Sequence, residues 1–406
     1  MIPGCQSEGR FIMQFVEPET PIYLDYAATS PVDDRVLGAM LPFFGRTFGN
    51  AASIHGFGRV AAEAVERARA QLASLLRCAP EEVIWTSGAT EANNLAIKGT
   101  VRASGKAIAH VITQATEHKA ILDPVLGLRG EGVETTVLPV DAEGRVVPAD
   151  VRSALRSETV LVSVMTANNE VGTLQPVKEI AAICHEADVA FHTDASQAVG
   201  KITIDMEGDQ IDLLSVSGHK LYGPKGIGAL VFRRSPKLRK LRPLIDGGGH
   251  ERGLRSGTLN VPAIVGLGAA CEIAAATLEE ERNRLEGLRD RFESALMDSL
   301  PDVLVNAAGS PRLPTITNIA FLGVDAESLL LSMGHIAAST GSACTAASLE
   351  PSHVLRAMRL PPERQISSVR FSFGRPTSQV DILHAVGSIV KNVTILRQLS
   401  CISDPP

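Results

Sequence analysis

Lys220 stands between two apolar runs, Ile211 to Val216 and Ile227 to Phe232, in the segment IDLLSVSGHKLYGPKGIGALVF. The runs read as buried strands, and the Gly- and Pro-rich stretch between them as a turn. Lysine is among the residues least often buried. An amine fixed by turn chemistry at the end of a core strand therefore calls for a chemical reason. Burial lowers its proton affinity towards the neutral amine, the form that bonds to a carbonyl carbon. Four other strand ends carry polar groups. In WTSGATEANNLAIKG a strand stops at Thr86 and turns through Ser87, Gly88, Ala89 and Thr90 into a helix. The N–H groups at such a helix start, with the Thr90 hydroxyl, suit a phosphate. TQATEHKAIL presents His118, and SVMTANNEVGTLQP presents Asn168 and Asn169. VAFHTDASQAVGK sets Asp194 directly after an apolar strand, with Gln197 three residues on.

Taken singly, these groups have ordinary readings as a helix cap, a surface histidine and turn residues. Asp194 is the exception, because a carboxylate so close to a core must be paired or protonated. A cationic heterocyclic nitrogen would be a fitting partner. Together, a phosphate cradle, a carboxylate, a flat imidazole and a lysine make the protein side of pyridoxal 5′-phosphate chemistry.

Such groups need a sheet to gather them. Residues 60–77, VAAEAVERARAQLASLLR, carry Ala64, Ala68, Leu72 and Leu75 at helical spacing. Strand-like runs follow at EEVIW, AHVIT, TVLVSVM, VAFHT, DLLSVS and GALVF, most of them separated by helical patterns. This alternation predicts an α/β fold with a mainly parallel sheet covered on both faces. Functional groups then gather beyond the strand C-termini. The segment LEEERNRLEGLRDRFESALMDSL predicts a long charged helix leading into strand-like pieces, ITNIAFLG and SVRFSFG. The expected organisation is a disordered leader (1–20), a large domain (30–275) and a smaller α+β domain built from 21–29 and 276–406. No internal repeat or low-complexity segment interrupts it.

Composition excludes several classes. The chain has 406 residues, 45% hydrophobic and 21% charged, with net charge −6. That balance speaks against electrostatic nucleic-acid binding, and 4% aromatic residues speak against base stacking. No apolar stretch approaches the roughly 20 residues that span a bilayer, so no membrane association is expected. Cys5, Cys78, Cys184, Cys271, Cys344 and Cys401 form no CxxC pair and no zinc-like cluster. That pattern fits a reducing compartment. With no signal-peptide pattern at the start, a cytoplasmic protein is expected. Met13 offers a second start for translation. Cys344 differs from the other cysteines, because its neighbours in STGSACTAASLEPS are small and polar, as in an exposed loop.

The motifs YLDYAATSPVD, SGATEANNLAIKG, SGHKLYGPKGIGAL, GGGHERGLRSGT and STGSACTAASLEPSHVLRAM resemble, in order, those of the NifS/IscS-type cysteine desulfurases. These are class V aminotransferases of PLP fold type I, and the likeness runs from about Tyr23 to about Leu396. The resemblance implies a large domain with a seven-stranded sheet, a homodimer, and conversion of L-cysteine to L-alanine with a persulfide left on Cys344. It makes Lys220 the cofactor-binding amine and Asp194 the partner of the ring nitrogen. His118 would stack on the ring and help the Cys344 proton come and go, and Gln197 would lie beside the ring hydroxyl. Thr90, Ser217 and His219 would hold the phosphate, completed by Thr258 from the second subunit, with Ala89 and Gly218 also binding the cofactor. Asn169 would touch both cofactor and substrate, and Arg370 would grip the substrate carboxylate in bidentate fashion. No metal is required, although Cys344 could serve as a transient iron–sulfur ligand.

The partner implied is a sulfur acceptor such as an iron–sulfur scaffold, with general assembly, nitrogenase maturation and tRNA thiolation all open. The alternatives are a selenocysteine lyase or cysteine sulfinate desulfinase, which share the cofactor site, and a catalytically silent assembly partner. Two departures stand out. About 20 residues precede the usual start, and the chain stops soon after ILRQLSCISDPP, whereas housekeeping members carry a longer tail implicated in scaffold docking.

Overall fold

A computed structural model gives the fold and describes residues 21–233, 238, 240–341 and 352–403. After the short strand β1 (Ile22–Tyr23), seven strands form the large sheet. They are β2 (Val83–Thr86), β3 (His110–Gln114), β4 (Glu134–Leu138), β5 (Thr159–Ser163), β6 (Ala190–Asp194), β7 (Leu213–Ser217) and β8 (Gly228–Phe232). Their spatial order is β2-β8-β7-β6-β5-β3-β4. Only β8 runs against its neighbours, antiparallel to both β2 and β7; every other pairing is parallel. The C-terminal ends of the other six therefore meet at one edge, as expected of a parallel α/β sheet.

Every strand of this sheet but the edge strand β4 is buried along its whole length. That is why the runs read as continuously apolar rather than alternating. Successive residues point to opposite faces. Val83, Trp85 and Phe191 pack into one core, and Ile84, Ala190 and Leu213 into a second. Helix Gly56–Leu76 covers the first face with Ala64, Ala68 and Leu72 buried and Leu75 partly so, and helix Ala89–Ser104 covers the other with Ala92, Leu95 and Ala96.

A third core forms around a small antiparallel sheet of β9 (Val303–Val305), β10 (Ile316–Phe321) and β12 (Ser368–Ser372), in the order β12-β10-β9. Strand β11 (Ile336–Ala337) pairs in parallel with β1, which places Ile22 and Leu24 in this core. Phe292 meets Phe371 and Phe373 edge-on at 5.0 and 5.4 Å, the arrangement aromatic rings favour.

The charged helix expected from residue 278 begins earlier. It is one helix, Val261–Ser299, of 39 residues, so the division drawn at about 275 falls inside it. Asn260 caps it by accepting the Ala263 N–H, and a proline sits in its first turn, where its missing N–H costs nothing. The following residues, AIVGLGAACEIAAA, are apolar but for Glu272 and contain no proline to stop it. By length and composition this helix could cross a membrane. Ile264, Leu267 and Cys271 are instead buried in the first core, and Leu285, Leu288, Phe292 and Leu296 in the third.

Candidate active site

A cavity of about 530 Å³ opens where the strand ends meet β8. Ala89, Thr90, His118, Asn169, Asp194, Gln197, Ser217, His219 and Lys220 all line it. Gly218 is buried beneath the turn, where a Cβ would come within 2.8 Å of Ile227 and 3.0 Å of the Pro224 carbonyl.

The anion seat is built by two glycines. Gly88 precedes helix Ala89–Ser104 and supplies no side-chain cap, so the dipole and N–H groups of a 16-residue helix face the cavity. Gly228 lies beneath; a Cβ there would stand 2.4 Å from the Val216 carbonyl and 2.7 Å from the Gly88 Cα. Only glycine lets the turn rest on the sheet at this point. Glu91 also lines the cavity, where it accepts the Ser87 N–H at 2.8 Å and has its charge paired by Arg255 at 2.9 Å.

Asp194 ends β6 and is 7% exposed. Its Oδ2 accepts from Asn93 Nδ2 at 2.8 Å and its Oδ1 from the Ser196 N–H at 2.9 Å. Burial opposes its charge, but the Ser196 and Asn93 hydrogen bonds and the positive Lys220 outweigh it and hold the carboxyl below the usual range. Behind it His192 is buried between the Ser163 and Ser215 hydroxyls, and burial keeps this imidazole neutral.

Lys220 closes the turn Gly218–Lys220 directly after β7. The N-terminal segment braces this turn: Ser30 Oγ donates to the His219 carbonyl at 2.8 Å, and Thr29 Oγ1 lies 3.1 Å from His219 Nδ1. Burial, with Lys220, Lys225 and Lys201 nearby, pulls His219 down to about 4. His118 caps helix Lys119–Gly127, its Nδ1 accepting from the Ala120 N–H at 3.0 Å. That bond leaves the neutral ring's proton on Nε2. Burial first, then the charge of Lys220, favours the neutral form.

Arg370 lies outside the cavity lining, on β12. It donates to the Asn169 carbonyl at 2.8 Å, the Ser339 hydroxyl at 2.8 Å and Asp25 Oδ1 at 2.7 Å. Its Nε is buried without a partner among the described residues. Thr258 is exposed and away from this cavity. Its loop is tied to helix Gly56–Leu76 by a buried ion pair, Arg69 to Glu251 at 2.9 Å, and to β2 by Glu251 accepting the Trp85 N–H at 2.9 Å. Cys344 lies outside the described residues.

Comparison with known proteins decides the family: residues 22–384 match the aminotransferase class V family. The chain belongs to it. It is similar to the cysteine desulfurase IscS of Anaeromyxobacter sp. (strain Fw109-5), 49% identical over 94% of each chain. Human cysteine desulfurase is 47% identical over 94% of this chain and 83% of its own. Among solved structures, a NifS-like protein superposes with a TM-score of 0.85 at 35% identity, over 93% of this chain and all of the other. The fold is thus the PLP fold type I expected from the motifs, and the family's cofactor is pyridoxal 5′-phosphate. The cavity of this class V aminotransferase is lined by groups that fit it: an open helix N-terminus for phosphate, a carboxylate held ionised, and a lysine.

Three residues around this class V site escape a reading of the sequence. Asn93 sits inside a helix, signalled only by the polar doublet in EANNLA. Lys201 looks like an ordinary turn lysine. Glu117 precedes His118 and is fully buried, accepting from Gln114 Nε2 at 3.0 Å and from the Met165 N–H. Its Oε2 has no partner among the described residues. Burial raises it to about 8, so the folded protein keeps it protonated where the unfolded chain, near 4.5, ionises it. Its contribution is full below about 4.5 and is lost as pH rises towards about 8. Glu117→Gln, which cannot ionise, should gain on wild type by up to about 1.4 kcal/mol per pH unit across that window. Urea unfolding of both proteins at several pH values checks this. A stability difference that does not change with pH would refute the protonated assignment.

Proposed function

We propose that this class V aminotransferase is a cysteine desulfurase that converts L-cysteine to L-alanine and leaves the sulfur as a persulfide on Cys344. The observation that carries the reading is the convergence of Lys220, Asp194 and the open helix N-terminus on one cavity. The likeness to proteins named cysteine desulfurase supports the choice of substrate.

Lys220 and Asp194 would hold the cofactor at its aldehyde and ring nitrogen, with Ala89, Thr90, Ser217 and His219 around the phosphate. Once bound, the cofactor supplies an electron sink for the substrate carbon. Lys220 Nζ serves as the base that takes the Cα proton. Asp194, fixed from both sides by Asn93 and Ser196, stays anionic opposite the ring nitrogen. His118 presents its Nε2–H from the helix it caps and relays the thiol proton. Arg370 orients Asn169 through its carbonyl, so that both assist at the substrate carboxylate.

The Cys344 thiolate then attacks the substrate sulfur, forming an S–S bond as the C–S bond breaks. Cysteine and enzyme thiol give alanine and enzyme persulfide, with no external oxidant or reductant. We further assign a cytoplasmic homodimer in which Thr258 reaches the partner's phosphate seat. Phe44, Phe48, Ile54 and Phe57, each more than half exposed, form an apolar surface suited to a second copy. The acceptor of the persulfide is taken to be an iron–sulfur scaffold protein.

The test is incubation of holoenzyme with L-cysteine, with L-selenocysteine and L-cysteine sulfinate in parallel. Alanine should form fastest from cysteine, and mass spectrometry should place one extra sulfur on the peptide containing Cys344. Sulfur on another cysteine would remove Cys344 from the mechanism. A clear preference for either other substrate would reassign the enzyme.

A further inference from the structure

Lys201 follows Gly200, which takes a left-handed φ of +72°, on the turn after β6. Its Nζ donates to Gln197 Oε1 at 3.1 Å, while Gln197 Nε2 donates to the Ala27 carbonyl at 2.9 Å. These two contacts decide which end of the amide is which. Turned over, the amide would set its NH₂ against the ammonium and its oxygen against the carbonyl, donor facing donor and acceptor facing acceptor. Gln197 is 3% exposed and lines the active-site cavity, so Lys201 sets its orientation from behind. Lys201 and Lys220 also share a second cavity of about 20 Å³, room for one water.

Charged groups face Lys201 from several elements. Lys220 and His219 stand on the turn after β7, and Arg370 on β12. Across the small cavity are Tyr26, Tyr222, Glu281, Arg282 and Arg375. The acid there is already engaged: Glu281 pairs with Arg375, which also holds Asp33 at 2.7 Å. Among the described residues no carboxylate pairs with Lys201. Burial, reinforced by Lys220 and Arg370, accordingly pulls Lys201 down to about 7.

We propose that Lys201 is a positioning residue for the reaction, orienting the Gln197 amide towards the cofactor and opposing, by its own charge, a second positive charge on the Lys220 nitrogen. This rests on reading the cavity as a pyridoxal 5′-phosphate site, which the wild-type holoenzyme tests by itself. A visible band that titrates with pH supports that reading, and the absence of any band overturns both.

In Lys201→Met holoenzyme, cofactor content and thermal midpoint should stay near wild type. The titration midpoint of the band should rise by about half a unit or more, because the Lys220 nitrogen no longer faces a like charge. We expect kcat to fall about tenfold with KM for cysteine nearly unchanged, the signature of a loss felt after substrate binds. Lys201→Arg, which keeps the donor and is charged at every pH, should hold the midpoint at or below that of wild type. Lys201→Gln, a donor without charge, should shift it as Met does and serves if the Met variant folds poorly. A midpoint unmoved in both Met and Gln, or an Arg variant whose midpoint rises as theirs does, overturns the proposal.

Discussion

Purified Lys220→Ala protein is expected to show no visible absorption from a lysine-bound cofactor and to turn over no measurable cysteine. The loss is double. Alanine has no amine to anchor the cofactor aldehyde, and the base that would take the Cα proton goes with it. Loss of proton transfer alone is worth roughly 10²–10⁴-fold, and loss of the covalent anchor adds to that. The fold should survive, because Lys220 belongs to the turn after β7 and takes no part in the strand pairing. A cooperative unfolding transition close to that of wild type would show this. An alanine variant that kept its visible band and normal kinetics would remove the central assignment.

Asp194→Ala should rank next, lowering turnover by roughly 10²–10³-fold, the usual scale for deleting one preorganised charge. The cofactor should also dissociate more readily on dialysis, since its ring nitrogen loses an anionic partner. Asn93 and the Ser196 N–H would then be left in a buried site without the acceptor they share. Asp194→Asn keeps the size but not the charge and should restore stability without restoring rate. Full activity in either variant would mean that another group pairs the ring.

The strands and their ends were legible because burial on both faces turns a parallel strand into an unbroken apolar run. Asp194, Lys220 and the turn at Gly88 each break such a run with a polar group. The pattern could not show that β8 alone is reversed, since Gly228–Phe232 is as apolar as its parallel neighbours. Nor could it show the supports. Asn93 is four residues into a helix whose local pattern concerns packing on the sheet, and Lys201 touches Gln197 through a turn geometry that only the folded chain reveals. The start of the long helix at Val261 was hidden for a related reason. Charge periodicity marks its second half, while its first half is largely apolar, with Glu272 its one charge before residue 279. The family motifs alone single out Thr258 and Arg370; the fold buries Arg370 on β12 and leaves Thr258 exposed, outside the cavity lining.

The helix Val261–Ser299 has a mechanical consequence. At 1.5 Å per residue it is a rod of about 60 Å, with its first turns sealed in the core beneath the large sheet and its last turns in the core around Phe292. Neither core can open fully without exposing its half of the rod, so each lends the other its resistance to opening. Amides along the rod should therefore exchange with deuterium as one slow cooperative unit; two separate protection levels in its two halves would show independent foldons.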